Sequence, residues 1–229
     1  YDEDNMTASV ISFRNNTSLA GISGSLTEIF PMINPAERYY DDYGDYYTRT
    51  VTQTPRFYYV FANCTNLAGT IPSNLFIGLN GNVIPYMFTG AFMNCSKLTG
   101  EIPARMFGGL TGQTQPYAFT NLFDGCSGLT GGIPTDMFGE FSGEMANYMF
   151  NNAFRNCSGL TGMAARNGHN GQYLHAVWPE YTTNAYVGAE NIENWDHIPT
   201  TWGGAGEFSA YEFSVSSIAS NISATISAA

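Results

Sequence analysis

Apolar residues in the middle of this chain recur every 31 residues, far longer than the period of about 2 of a strand or about 3.6 of a helix. Counted from Cys64, Cys95, Cys126 and Cys157, a phenylalanine lies three residues upstream (Phe61, Phe92, Phe123, Phe154) and another seven upstream (Phe57, Phe88, Phe119, Phe150). A leucine lies three residues downstream (Leu67, Leu98, Leu129, Leu160) and a glycine five downstream (Gly69, Gly100, Gly131, Gly162). Ile-Pro pairs follow at 71–72, 102–103 and 133–134, then Leu75-Phe76, Met106-Phe107 and Met137-Phe138. A lone apolar residue (Leu79, Leu110, Phe141) and a glycine (Gly81, Gly112, Gly143) complete the unit. One such unit cannot bury these side chains alone. Stacked units set each over its counterpart and make one continuous core.

The unit also predicts its local structure. Leu-x-Gly-x-Ile reads as a short strand. The proline after it lacks an N–H donor and ends the strand, and it suits the start of a single helical or 3-10 turn over the Met-Phe-x-x-Leu segment. The recurring glycines predict turns with positive φ or a close backbone approach. The expected fold is therefore a β-rich α/β repeat: one solenoid with short parallel strands, short helical or 3-10 turns and irregular capping ends.

The run Cys-x-x-Leu-x-Gly-x-Ile-Pro-x-x-[Leu/Met]-Phe-x-x-Leu resembles a leucine-rich repeat. The preceding Ala-Phe-x-Asn-Cys, as in Ala91 to Cys95 and Ala153 to Cys157, resembles the cysteine-bearing repeats of bacterial and protist surface proteins known as BspA-like. The Gly-x-Ile-Pro portion is similar to the plant extracellular class. The match covers residues 57–162. It departs in its period, 31 here, and in lacking a regular Leu-x-Leu strand core. The resemblance implies a stack exposed outside a cell and used for adhesion or assembly.

Four segments follow along the chain. Residues 1–56 read as a degenerate first coil or cap, in which Phe13 to Gly21 echoes the unit with Asn16 in the cysteine position, followed by an acidic, tyrosine-dense insertion. That insertion holds Tyr39, Tyr40, Tyr43, Tyr46 and Tyr47. It is either a surface loop packed on the flank or a contact surface, since tyrosine supplies large amphipathic area at low entropic cost. Asp41, Asp42 and Asp45 lie in it, but their spacing does not match a calcium loop of the EF-hand type. Residues 57–162 are the regular units. Residues 163–212 read as a terminal coil or cap, with Trp178, Trp195 and Trp202 covering the end of the core. Residues 213–229 form a docking tail in which Val215, Ile218, Ile222 and Ile226 share one helical face, a strand being the alternative.

Composition narrows the partners. The net charge is −11 with a single lysine, Lys97, which excludes the basic patch that nucleic acid requires and an anionic membrane surface. No apolar run is long enough to span a bilayer. The first residue is Tyr1 rather than Met; together with few lysines and much Asn, Ser, Thr, Gly and Tyr, this suggests a processed, extracellular, cell-surface protein. In that setting the cysteines have two open readings, buried free thiols or disulfides between adjacent coils, whose strand spacing falls within disulfide reach. Asn63, Asn94 and Asn156 precede cysteines in N-x-[ST] sequons and are candidate glycosylation sites on one exposed face.

Searching for chemistry yields no catalytic, cofactor or metal site. Serine-hydrolase, zinc-protease and P-loop motifs are absent. His169, His175 and His197 lack metal-ligand spacing, Asp196-His197 are only sequence neighbours, and Glu140 and Glu144 have no partner acids in other units. All four cysteines occupy one structural position, which disfavours a nucleophile. The expected function is a non-enzymatic structural protein, a homo-oligomer assembled head to tail into a surface filament or layer; the alternative is a cell-surface adhesin module holding a protein or glycan ligand.

Overall fold

The stretch leading into each cysteine, rich in aromatic and small residues, folds neither as helix nor as strand but as a ribbon of successive turns. The computed structural model of the protein describes residues 12–29, 36–40, 46–50, 56–168, 171–181 and 183–206. In the unit ending at Cys95, the N–H groups of Tyr86, Phe88, Gly90, Phe92 and Asn94 donate to the carbonyls of Pro116, Ala118, Thr120, Leu122 and Asp124 in the next unit. The intervening N–H groups of Met87, Thr89, Ala91, Met93 and Cys95 donate three residues back, to Ile84, Tyr86, Phe88, Gly90 and Phe92. This alternation satisfies every donor of a buried segment that forms no regular element. The turns close because Tyr86, Gly90 and Asn94 have φ of 60°, 59° and 61°. The same register joins 57–63 to 87–93, 117–125 to 147–155 and 152–156 to 183–187.

Downstream of each cysteine the units pair as short parallel strands. β3 (Gly81–Asn82), β5 (Leu110–Gln113) and β7 (Phe141–Ser142) form one sheet in that order. β4 (Gly100–Glu101) pairs with β6 (Leu129–Thr130), and the bridges Gly69↔Leu98 and Gly131↔Leu160 extend the same line. Two antiparallel hairpins stand apart, β1 (Ala36–Tyr40) with β2 (Tyr46–Thr50), and β8 (Arg166–Asn167) with β9 (Gln172–Tyr173). Among the described residues helical structure is limited to single turns: α1 (Leu26–Ile29), α2 (Leu174–Val177) and 3-10 turns at Trp195–His197 and Thr200–Trp202. The described residues are β-rich and form no closed barrel.

The strand expected at Leu-x-Gly-x-Ile is present. The helical turn expected after the proline is replaced by separate three-residue turns: Leu75, Ile77 and Leu79 N–H donate to Pro72, Asn74 and Phe76, Gly108 and Leu110 to Arg105 and Phe107, and Met137 to Pro134. They do not merge into a regular helix because alternate groups are taken by the neighbouring unit: Phe107 N–H donates to Met137, and Gly139 N–H donates back to Phe107.

The core lies between the ribbon and the strands, filled by aromatic columns. Phe13, Phe61, Phe92, Phe123, Phe154 and Tyr186 stack with centroid separations of 5.6, 5.4, 5.1, 6.0 and 5.5 Å. Phe57, Phe88, Phe119 and Phe150 stack at 5.3, 5.7 and 5.5 Å. Phe76, Phe107 and Phe138 form a third column wedged against the second. At the first layer, Phe13 and Asn15 donate to Val60 and Ala62 just as later units do. At the other end Trp178 and Trp202 pack against Phe150 at 6.5 and 6.3 Å.

Candidate functional site

Of the residues singled out in the sequence, the cysteine, phenylalanine and leucine columns all point inward. Cys64, Cys95, Cys126 and Cys157 are buried free thiols, so the disulfide alternative does not hold. Each thiol donates to the carbonyl of the phenylalanine one unit back: Cys64 to Phe13 at 3.1 Å, Cys95 to Phe61 at 3.0 Å, Cys126 to Phe92 at 3.0 Å and Cys157 to Phe123 at 3.1 Å. These carbonyls already accept a local N–H, so the thiol fills the second lone pair. Burial pushes all four thiols up, Cys95 to about 12. Such thiols stay protonated and make poor nucleophiles.

Asn63, Asn94 and Asn156 line the adjacent outer face, in a role that the sequon reading does not supply. Each has positive φ (58°, 61° and 59°), as does Asn15 at 61°. Asn63 Nδ2 donates to Asn15 Oδ1 at 2.9 Å and Asn94 Nδ2 to Asn63 Oδ1 at 2.8 Å. The column continues over Gly125 and Gly188, where a Cβ would run into Asn94 Oδ1 and Asn156 Oδ1. Asn152 Nδ2 to Asn121 Oδ1 at 3.0 Å begins a second ladder four residues upstream. N-glycosylation substitutes Nδ2, the atom that Asn63 and Asn94 commit to the ladder.

A further aromatic column on the outside was not singled out in the sequence. Tyr86, Tyr117 and Tyr148, nine residues before their cysteines, stack at 4.8 and 5.0 Å with interplanar angles of 5° and 25°. Tyr86 and Tyr117 are half-buried, and Tyr148 is 53% exposed. Nearby, Arg14 lies 4.4 Å over the Tyr59 ring. The signal was there to be read: a tyrosine recurs at one register position after Pro85, Pro116 and Asn147.

The tyrosine-dense insertion forms the β1–β2 hairpin, with Tyr39 opposite Tyr47 and Tyr40 opposite Tyr46. Tyr43 and the acids Asp41, Asp42 and Asp45 lie outside the described residues, as do Val215, Ile218, Ile222, Ile226 and His169.

The C-terminal end is closed by polar side chains standing in for a missing strand. Asn167 accepts from Phe141 N–H at 2.9 Å and donates to the Phe141 carbonyl at 3.0 Å. Asn194 accepts from Ala164 N–H, and the Tyr186 hydroxyl from Ala165 N–H. Trp178 and Trp202 donate to the Gly143 and Trp178 carbonyls, while the Trp195 N–H has no partner. His175 is buried against Tyr173 and Trp202 with Nδ1 unpaired, and desolvation lowers its pKa to about 4.

Glu140, Glu144, Asp196 and His197 are exposed and do not converge on one another by any hydrogen bond. Among the described residues no group of three or more His, Cys, Asp or Glu gathers to hold a metal, and no helix is long and apolar enough to cross a membrane. The only described ion pair, Asp124 with Arg155, joins consecutive units. No family model, curated protein or solved structure matches the chain.

Proposed function

We propose that this chain is a non-enzymatic, extracellular structural subunit, a leucine-rich-repeat-like solenoid that assembles head to tail into a surface filament or layer. The observation that carries this reading is the asymmetry of the two ends. In each ribbon the carbonyls of residues equivalent to Ala91 and Met93 accept from the unit below. In the first layer those positions are Ser12 and Arg14, and their carbonyls have no acceptor role among the described residues; the Ala20 N–H, equivalent to the donating Thr99 N–H, is likewise unmet. The opposite end is sealed by Trp178, Trp202, Asn167 and Asn194. An open edge is a template for another chain, and a repeated contact between unlike ends that does not close gives a filament.

Burial of the thiols, and the lack of converging acids and bases among the described residues, favour a structural role over catalysis. The tail, with its β-branched residues at 215, 218, 222 and 226, is the natural linker, by strand addition to the open edge of the next subunit. Negative-stain electron microscopy of the full chain beside a 1–212 truncation tests the assignment. Filaments from the full chain and single particles from the truncation are expected; single particles from both would overturn it. That second outcome would favour the adhesin reading, which draws support from the outward tyrosines, and mutation of the β1–β2 hairpin would then be tested against glycan and matrix-protein binding.

A further inference from the structure

The ribbons that end at Cys95, Cys126 and Cys157 hold the left-handed backbone region at nine, five and one residues before the cysteine, and the ribbon that ends at Cys64 holds it at five and one. The latter two places are filled by residues that enter that region readily, Gly90, Asn121 and Asn152 at one and Asn63, Asn94, Gly125 and Asn156 at the other, with Tyr59 at φ 51° the single bulky exception. The first is filled by Tyr86, Tyr117 and Tyr148, with φ of 60°, 58° and 58°. A bulky residue there is an outlier, and strain held in repeated copies points to a use for the side chain. That use is not core packing, since the rings stand on the outside and Tyr148 is 53% exposed. The facing sides of the rings are spent on one another at 4.8 and 5.0 Å.

What the arrangement offers is a row of phenols held in near-contact, half-buried at Tyr86 and Tyr117 and exposed at Tyr148. We propose that Tyr86, Tyr117 and Tyr148 are a site of oxidative tyrosine coupling, in which an external one-electron oxidant, a haem peroxidase using hydrogen peroxide, joins neighbouring units by dityrosine bonds. Each of two adjacent phenols loses one electron and its hydroxyl proton. The two phenoxyl radicals combine through ring carbons ortho to the oxygens, forming one C–C bond. The two hydrogens on those carbons move to the oxygens by tautomerisation and restore the hydroxyls. Hydrogen peroxide takes up the two electrons and two protons and leaves as two water molecules. Because the bond lies in the plane of both rings, the two rings tilt out of the parallel stack as it forms, and it clamps the units covalently where the buried cysteines, each already hydrogen-bonded, do not. The proposal holds whether or not the chain assembles.

The full chain is treated with hydrogen peroxide and horseradish-type peroxidase, then cut with trypsin and a glutamate-specific protease. Cleavage after Lys97, Arg105, Glu140 and Glu144 separates the three tyrosines. Cross-linked peptides are identified as pairs lighter by two hydrogens. Tyr86–Tyr117 and Tyr117–Tyr148 pairs are expected, at yields unchanged by dilution, with no Tyr86–Tyr148 pair. Tyr117→Phe, which keeps a ring in the stack, should abolish both pairs, and Tyr148→Phe should abolish only the second. Coupling confined to the hairpin tyrosines, yields that fall with dilution, or equal yields from urea-unfolded protein would overturn the assignment.

Discussion

Asn94 satisfies two demands with one side chain. Its backbone sits at φ 61° and its amide bridges to Asn63. Glycine would meet the first demand only and alanine neither. Asn94→Gly should therefore cost about 1 kcal/mol for the lost hydrogen bond, and Asn94→Ala about 2–3 kcal/mol once left-handed strain is added; denaturant melts of the two variants give the order. The cysteines allow a pH test. Their folded pKa values lie above those of the unfolded thiols, so the folded state holds protons that the unfolded chain gives up. Stability should be intact below about pH 8.5 and fall as pH rises toward 12, and Cys126→Ala should lessen that fall. A thiol reagent at neutral pH should label none of the four until the chain unfolds. The inward columns were legible because apolar side chains stacked in register must repeat in sequence. The asparagine ladder was not, because a sequon match describes recognition by an enzyme, whereas the ladder shows only in the exchange of Asn for Gly at fixed positions such as Asn94 and Gly125.

At the scale of elements, the β4–β6 pair was readable from Leu-x-Gly-x-Ile, whereas the β3–β5–β7 sheet, which falls at the end of the unit, and the turn ribbon were not. Its bonds alternate between a local and an inter-unit partner, so it has neither helical nor strand periodicity. A further unit also escaped detection. Ala185-Tyr186-Val187-Gly188-Ala189-x-x-Ile192 matches Ala-Phe-x-Asn-Cys-x-x-Leu with every residue substituted in kind except the first, and Ala189 and Ile192 make the N–H bonds that Cys157 and Leu160 make. It begins one residue late, and its cysteine column ends in alanine. Two glycines separate close approach from conformation. A Cβ on Gly139 would overlap the Leu110 carbonyl, whereas at Gly143 it meets nothing within 4 Å but sits at φ 84°. Gly139→Ala should cost more than about 3 kcal/mol and Gly143→Ala about 1 kcal/mol, measured by thermal melts. In the cap, His175 is held neutral with its pKa near 4, while the unfolded histidine takes up a proton near 6.5. The unfolded state thus binds more protons between those values, and stability should fall as pH drops from 6.5 to 4, by at most about 3 kcal/mol. His175→Phe should flatten that part of the pH profile.

Across the whole molecule, each unit contacts its neighbours through bonds that span 30 residues or so, so stability should be close to a sum over nearest-neighbour interfaces. Excising residues 97–127, one period between equivalent positions, should leave a folded chain with one layer fewer and a lower melting temperature, followed by circular dichroism; loss of all cooperative unfolding would contradict it. The ribbon bonds have one more property. From Phe57 to Asn156 they all run the same way, N–H toward the later unit and C=O toward the earlier one. Each of these peptides carries a dipole of about 3.5 D, and parallel strands, whose bonds point to both sides in turn, do not cancel them. The ribbon peptides therefore sum to a dipole along the stack of described units, negative toward Ser12 and positive toward Trp202, the reverse of the sense in an α-helix. Two copies placed end to end in the same direction align these dipoles favourably, a term that works against the repulsion between their net charges of −11 and gains weight as salt screens that repulsion. Reversing-pulse electric birefringence in dilute, low-salt solution tests for this dipole: a permanent dipole gives a transient dip in the signal when the field is reversed, and no dip would contradict it.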